Sequence, residues 1–350
     1  MSNEVTFAAE RIMSVEAFGR VLRTSMLAEE HSVVSGCDWV GVDLDNIAGH
    51  ADESLFPDIE HIWLPNAVVL GFSQQTMKNL SATRSRALGM MDLVITPDLP
   101  QAMIDGVQEN LASKPAASTG LIQLLRQNQQ LSVSQGLVLE SLMYSTLQHG
   151  AEFEAWLAGR SPGALPVQGG PVTEVRRQDN QLTITLNRPE KHNAFSAAMR
   201  DELCEALHLA QADVAIEQVT LNGRGPSFCA GGDLDEFGAA RDASVAHLTR
   251  TTRSPARLIH ALADKTTAHL HGACIGAGIE MTAFAGHVAA RENTTFALPE
   301  VGFGLVPGAG GTVSIPRRIG RHRAGLLALS GYAIDARTAQ AWGLIDQITG

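Results

Sequence analysis

The chain has 350 residues, of which 45% are hydrophobic and 18% charged, and its formal net charge is −11 at pH 7. This length allows two domains, or one large domain with an extension, and the composition is ordinary for a globular protein. The negative charge argues against nonspecific nucleic-acid binding and supplies no polybasic membrane patch, so we expect neither partner.

The cysteines and the amino terminus indicate the cellular compartment of the protein. Cys37, Cys204, Cys229 and Cys274 are scattered without a C-x-x-C pair, which favours free thiols over a zinc site or a disulfide framework. Residues 1–11 are too polar for a signal peptide, and no apolar run reaches membrane-spanning length. We therefore expect a cytoplasmic protein without a metal.

Residues 1–116 have the pattern of a small α/β domain, and no nucleotide fingerprint indicates its role. Ser14 is a candidate cap for a helix running towards Glu30, and a second helix is predicted over 99–111. Short apolar runs bounded by turn residues are typical of buried parallel strands. These runs are 39–44, 67–72 and 92–96.

Residues 117–160 form a predicted helical segment, with helices at 121–126 and within 133–157. The Gly- and Pro-rich stretch 161–171 is a predicted linker. Alternation of βα elements is clearer after it, beginning with a strand at 182–186 that has one buried face. One long helix is predicted over 245–262.

Glu280 and Glu300 stand in apolar, glycine-rich surroundings that would normally exclude a carboxylate. An ionised carboxylate in such surroundings costs several kcal/mol unless it is paired or hydrogen-bonded. Two of them could move a proton at one place and orient a water at another. Each alone could instead be a helix-terminal or solvated turn acid, but the pair indicates an enzyme.

Four segments occur in an order and spacing that resemble the crotonase, or enoyl-CoA hydratase/isomerase, superfamily. They are Arg188–Phe195, Phe228–Leu234, His271–Glu280 and Pro299–Gly311. The resemblance covers about residues 172–350. It implies an α/β fold in which a ββα spiral core follows the smaller α/β and helical N-terminal domain. It also implies an acyl-CoA substrate, no cofactor beyond that coenzyme A, and a homo-oligomer that is a trimer or a multiple of trimers.

The resemblance assigns roles to individual residues. Glu280 would help to activate water for attack at Cβ, and Glu300 would exchange the proton at Cα. The backbone N–H groups of Ala230 and Ala277 would form the oxyanion hole for the thioester oxygen, where one donor can contribute ~3 kcal/mol. The remaining candidate substrate-binding residues are Lys191, His192, Asp233, Gly276 and Gly308. Asp233 could equally cap a helix near Leu234, and Lys191 could be an ordinary surface cation.

The two glutamates favour hydration of a 2-enoyl-CoA among the superfamily's reactions. The hydrolases of this type place an aspartate after the proline where this chain has Gly308, and many isomerases keep one acid. An isomerase, a hydrolase or a cofactor-free oxygenase remains an alternative. So does a non-catalytic acyl-CoA-binding assembly subunit, although a scaffold has little reason to keep both acids.

In the family, a C-terminal helical segment follows the core, packs on the active site and builds the trimer. The sequence stops at Gly350, just after the last core element, so we expect that segment to be absent and its apolar surface to be covered otherwise. The apolar helices within 118–160 are the candidate cover, docking in cis or from a neighbour. Alternatively, they serve only the core of the N-terminal domain.

Overall fold

The computed structural model describes residues 7–46, 62–83, 85–160 and 170–350. Most of the predicted linker, 161–171, lies outside the described residues. The chain is a mixed α/β protein, as predicted. Among the described residues, no helix combines the length and the apolar character that a membrane crossing requires.

The first unit of the chain is built on parallel strands that lie in the order β1-β2-β3-β4 across the sheet. These are β1 (Ile12–Ser14), β2 (Trp39–Asp43), β3 (Val68–Phe72) and β4 (Leu93–Ile95). The last three occupy the predicted apolar runs. Because helices cover both faces of a parallel sheet, nearly every residue of β2 and β3 is buried.

Short helices accompany this sheet: α1 (Val15–Arg23), α2 (Ser25–Glu30), α3 (Met77–Thr83) and α4 (Ser85–Met90). Ser14 caps α1, since its hydroxyl accepts a hydrogen bond from the Ala17 amide at 3.3 Å. The helix predicted to run towards Glu30 is divided in two because Thr24 has an extended backbone, with φ −132° and ψ 111°.

Longer helices follow: α5 (Gln101–Ser113), α6 (Pro115–Asn128), α7 (Val133–Leu147) and α8 (Ala151–Ala158). Helix α7 begins with a capping box in which Ser132 and Gln135 satisfy each other's backbone amides. The sequence suggested one or two helices over 133–157, and the structure has two. The break follows Leu147, and Gly150 has an extended backbone before α8.

In residues 170–350, one sheet has the strand order β13-β10-β8-β7-β6-β5, and a smaller sheet has the order β12-β11-β9. The strands are β5 (Thr173–Gln178), β6 (Gln181–Leu186), β7 (Gln218–Gly223), β8 (Thr266–Leu270), β9 (Ala273–Ile275), β10 (His287–Arg291), β11 (Thr295–Ala297), β12 (Ile334–Asp335) and β13 (Gln347–Thr349). Leu182, Ile184 and Leu186 are buried on one face of β6, as the alternation predicted.

The helices of this half are α9 (Ala197–Ala212), α10 (Ala243–Thr252), α11 (Pro255–Ala261), α12 (Ala277–Glu280), α13 (Gly311–Ile319), α14 (Arg321–Ser330) and α15 (Ala336–Trp342). The single helix predicted over 245–262 is wrong. Pro255 is the first residue of α11, and proline disfavours a helical conformation in the residue before it, here Ser254.

Helices α5 to α8 pack on the C-terminal half within the same chain, where they contact α10, α13 and α14. Gly106 of α5 lies so close to the carbonyl of Ser330 that a β-carbon would overlap it. Asn128 donates a hydrogen bond to the carbonyl of Thr312 at 2.9 Å. One hydrophobic cluster consequently runs from the N-terminal sheet through these helices into the C-terminal half.

We expect a variant chain that begins at Pro171 to lose solubility and activity. Removing α5 to α8 exposes the apolar faces of α13 and α14 and takes away one wall of the cavity described below. Size-exclusion chromatography with light scattering and an activity assay would check this. A soluble, fully active fragment with the parent's oligomeric state would show that these helices do not complete the core.

Candidate active site

Glu280 enters the central cavity from a turn that suits glycine. Strand β9 ends at Ile275, Gly276 has φ +48°, and α12 begins at Ala277. Glu280 lies in the first turn of α12 and is buried. A carboxylate there is favoured because the first amides of a helix have no partner within it.

The turn that leads into α13 holds Glu280 in place. Oε2 of Glu280 accepts hydrogen bonds from the amides of Ala309 at 2.7 Å and Gly311 at 3.0 Å. No described residue donates to its other oxygen, Oε1. The carboxylate is therefore fixed on one side and available on the other.

Glu300 follows Pro299 after β11 and is only 8% exposed. Its Oε2 is buried and, among the described residues, has no hydrogen-bond partner. A β-carbon added at Gly276 would overlap Oε1 of Glu300 and would lie 3.6 Å from Oε1 of Glu280. The two carboxylates therefore converge beside Gly276, and the close approach requires glycine there.

A third carboxylate, absent from the sequence prediction, reaches this place from helix α7. Oε1 of Glu140 accepts from the Gly310 amide at 2.7 Å, and Oε2 accepts from the amide and hydroxyl of Thr312 at 2.9 and 2.6 Å. The consecutive amides of residues 309–312 thus alternate between Glu280 and Glu140. The N-terminal helices and the core meet at the candidate site through this turn.

Burial raises the pKa of all three acids, and repulsion by Glu280 adds to the effect on Glu140 and Glu300. Desolvation raises the pKa of Glu300 well above its ordinary value, and the charge of Glu280 raises it further. Burial also raises the pKa of Glu280, against the hydrogen bonds from Ala309 and Gly311. For Glu140 the causes of a raised pKa are burial and then the charge of Glu280. Like charges in one site favour a state in which at least one acid keeps its proton.

The cavity has a volume of about 530 Å³ and extends from Glu280 and Glu300 between α7, α10 and α11. Tyr144 forms part of its wall, and its ring lies so close to Gly308 that a β-carbon there would overlap it. Burial raises the pKa of the Tyr144 hydroxyl, which therefore stays protonated at neutral pH. A cavity of this size suits a small acyl group.

The two predicted oxyanion-hole amides differ in this structure. Ala277 lines the cavity, and among the described residues its amide has no hydrogen-bond acceptor. The amide of Ala230 instead donates to the carbonyl of His192 at 3.0 Å. His192 and Asn193 both have positive φ, at 51° and 55°, and this pair of left-handed residues turns the carbonyl towards Ala230. The Ala230 amide is therefore already engaged.

The remaining predicted binding residues are divided between the cavity and the surface. Asp233 lines the cavity, pairs with the buried Arg188 at 2.5 Å, and caps a short 3₁₀ turn by accepting from the Asp235 amide at 3.1 Å. Lys191 forms an ion pair with Asp235 instead of facing the cavity. His192 is exposed, and its Nδ1 lies 3.1 Å from the Ser227 hydroxyl.

Arginines line the cavity, whereas the predicted Lys191 and His192 do not. The arginines are Arg200, Arg250, Arg253 and Arg257. Glu140 is the only acidic or basic residue of α7, and Arg250 is the only arginine of α10, which could have drawn attention to both. Within the described ranges, no group of three His, Cys, Asp or Glu side chains could share a metal ion.

Residues 176–350 match the enoyl-CoA hydratase/isomerase family. The chain belongs to this family, as its four motifs predicted, and is thereby an enzyme of the acyl-CoA-processing crotonase type.

The chain is similar to hydratases and to isomerases of this family. The chain is 37% identical over 174 residues to the 2,3-dehydroadipyl-CoA hydratase of Escherichia coli (strain K12), a match covering 50% of this chain and 68% of the relative. It is 35% identical over 172 residues to the 1,2-epoxyphenylacetyl-CoA isomerase of the same organism, covering 48% and 65%. A crystal structure of an enoyl-CoA hydratase from Thermoplasma volcanium GSS1 is 31% identical, covers 51% of this chain and 72% of that one, and has a TM-score of 0.48.

Proposed function

We propose that this protein catalyses the reversible hydration of a 2-enoyl-CoA. The observation that carries the proposal is the convergence of Glu280 and Glu300 beside Gly276, at the end of a cavity. One carboxylate is fixed by two amides, and among the described residues Oε2 of the other has no hydrogen-bond partner. We place the reacting water beside Oε1 of Glu280 and Oε1 of Glu300, the two oxygens that approach Gly276.

In the proposed mechanism, the elements of one water are added across the double bond. Glu280, ionised, accepts a proton from the water as the oxygen bonds to Cβ. Glu300, protonated, gives its proton to Cα. The raised pKa of Glu300 supports this assignment, because a carboxyl that keeps its proton near neutral pH is a competent general acid. A proton then passes from Glu280 to Glu300 and restores both groups.

The negative charge that develops on the thioester oxygen needs a hydrogen-bond donor, and the Ala277 amide is available for it. For Ala230 to act as the second donor, its N–H must be shared with the His192 carbonyl or released by a shift of residues 191–193. The proposal therefore assigns the larger part of the stabilisation to Ala277.

Coenzyme A carries phosphates that require positive charge at the mouth of the cavity. Arg257 is exposed there, and Arg253 is partly exposed and forms only long ion pairs, with Asp201 and Glu205 at 3.8 Å each. We assign the phosphate contacts to these arginines, since Lys191 is already paired with Asp235. The proposed substrate complex needs no metal or redox cofactor. A trimer, or a multiple of trimers, and a cytoplasmic location remain predictions.

Mass spectrometry with a panel of thioesters tests the function. Incubation with 2-enoyl-, 3-enoyl-, 3-hydroxyacyl- and arylacetyl-CoA should yield a product heavier by one water from the 2-enoyl compound. A product of unchanged mass with a displaced double bond would instead establish an isomerase, the activity named for one of the relatives. Release of coenzyme A would establish a hydrolase, and inertness towards every thioester would overturn the proposal.

A further inference from the structure

Arg250 of α10 lines the cavity, yet among the described residues it forms no ion pair. Its Nε donates to the Ser141 hydroxyl at 3.2 Å, and Nη1 and Nη2 reach the Gln148 side chain and the Ser141 carbonyl, each at 3.4 Å. Nη2 also donates to the Ser145 hydroxyl. The guanidinium lies 4.8 Å from the ring centre of Tyr144. All of these partners are neutral.

Neutral partners are unusual for a guanidinium that is mostly removed from water. Arginine stays charged in proteins, and a buried charge is costly unless an opposite charge compensates it. Elsewhere in this chain, buried arginines meet that requirement: Arg188 contacts Asp233 and Arg126 contacts Asp92, both at 2.5 Å. Arg250 departs from that pattern at a cavity, where a ligand could supply the missing charge.

A second arginine of the cavity lining adds positive charge near Arg250. Arg200, which pairs with its own neighbour Asp201, lies close enough to lower the pKa of Arg250 in addition to the effect of burial. Glu140 acts in the opposite direction, but its oxygens are occupied by the amides of Gly310 and Thr312. A ligand anion would find Arg250 without an opposite charge, and the oxygens of Glu140 already engaged.

The position of Arg250 indicates which part of a thioester would reach it. The ring of Tyr144 separates it from Gly308, and the turn after Gly308 holds Glu280. The site is thus one aromatic ring away from the proposed reaction centre. The phosphates of coenzyme A are held away from the thioester by the whole pantetheine arm, so they belong at the exposed mouth. An anion beside Tyr144 has to come from the acyl group.

We propose that Arg250 binds a carboxylate at the far end of the acyl group, so that the preferred substrate is the mono-CoA thioester of an unsaturated dicarboxylic acid. This inference rests on the proposed acyl-CoA function. Nη1 has two N–H groups and, among the described residues, only Gln148 as a partner, so one donor remains for a carboxylate oxygen. A hydrogen bond between two charged groups is roughly twice as strong as one between neutral groups.

Equilibrium binding of saturated thioesters tests the site without requiring turnover. Isothermal titration calorimetry would compare succinyl-CoA with butyryl-CoA, and adipyl-CoA with hexanoyl-CoA. We expect at least one carboxylated thioester to bind about 10- to 100-fold more tightly than its neutral counterpart, the usual range for a hydrogen bond to a charged group. Arg250→Gln should reduce that ratio to near one, and Arg250→Lys should keep part of it.

Arg323→Gln is the matched control, because Arg323 also stacks on an aromatic ring, that of Trp342, but outside the cavity. Its affinity ratio should equal that of the wild type. Equal affinity of the wild type for both members of each pair would overturn the inference. So would a loss in Arg250→Gln that is the same for coenzyme A alone, since the anion would then be a phosphate. If Arg250→Gln fails to fold, the measurement is made on Arg250→Lys. An affinity ratio in Arg250→Lys equal to that of the wild type would contradict the proposal.

Failure of this inference is distinguishable from failure of the proposed function. A wild type that prefers carboxylated thioesters but hydrates no 2-enoyl-CoA would retain the Arg250 site and lose the hydratase. A wild type that hydrates neutral and carboxylated 2-enoyl-CoA equally well, with equal affinities for the saturated pairs, would retain the hydratase and lose the site.

Discussion

Glu300→Gln should lower turnover of an accepted 2-enoyl-CoA by about 10²- to 10⁴-fold, the usual contribution of one general acid or base. Glutamine has nearly the same shape and leaves the cavity intact, so binding of a saturated thioester should change little. Steady-state kinetics together with calorimetry would separate the two quantities. Glu280→Gln should act similarly, and the double variant should lose far less than the product of the single losses, because both groups serve one addition.

Glu292→Gln is a suitable control for this experiment. Glu292 is exposed and pairs with Arg337 away from the cavity, so its replacement should leave turnover within a factor of about two, as for most surface substitutions. If Glu300→Gln retained turnover within a few-fold of the wild type, Glu300 would have no part in proton transfer.

Glu140→Gln should lower turnover by about tenfold or more, although the proposed mechanism gives Glu140 no proton to transfer. Glutamine has one acceptor oxygen for the amides of Gly310 and Thr312, so the turn that also holds Glu280 is released. Displacement of a catalytic group by about 1 Å can cost up to 10²-fold. Measurements of kcat and kcat/KM across pH would detect the loss of turnover and show whether Glu280 has been displaced.

The pH profile distinguishes positioning from general destabilisation. The hydrogen bonds from Ala309 and Gly311 lower the pKa of Glu280, so releasing that turn raises it. If ionised Glu280 is the base, the acid limb of kcat/KM moves to higher pH. Glu152→Gln provides the comparison, because Glu152 also accepts from two helix-terminal amides, those of Ala116 and Ala117, but outside the cavity. Glu152→Gln should change the stability of the protein without moving the acid limb of kcat/KM.

The stability of the folded protein should depend on pH through Glu140. Burial and the charge of Glu280 raise the pKa of Glu140 from 4.5 to about 8. A carboxyl whose pKa is raised by folding contributes stability below its unfolded pKa and loses it as pH rises through the folded value. The wild type's free energy of unfolding should therefore decline between about pH 4.5 and pH 8, by up to ~1.4 kcal/mol per pH unit for one proton. Urea titrations of Glu140→Gln should give a shallower decline, and an identical slope would contradict the raised pKa.

The core elements and the acidic pair were predictable because their signals are local. Glu280 and Glu300 each stand in a short glycine-rich frame, and β6 shows its buried face through simple alternation. The break before Pro255 also had a local signal, which the helical periodicity on either side concealed. Patterns within a few residues were thus sufficient for these features.

Glu140 and Arg250 were not predictable in the same way because their roles depend on distant residues. The amide that Glu140 binds at Gly310 is 170 positions further along the chain, and Arg250 reaches Ser141 across 109 positions. The engagement of the Ala230 amide was hidden for a similar reason. It depends on two left-handed residues at 192 and 193, neither of which is glycine.

The alternation of amides in residues 309–312 fixes the length of that turn. Ala309 and Gly311 face Glu280, whereas Gly310 and Thr312 face Glu140. Inserting or deleting a single residue there would displace the N–H groups that follow the change, and each carboxylate would lose at least one of its donors. Surface loops of this protein should tolerate changes in length, but this turn should not, whatever residues occupy it.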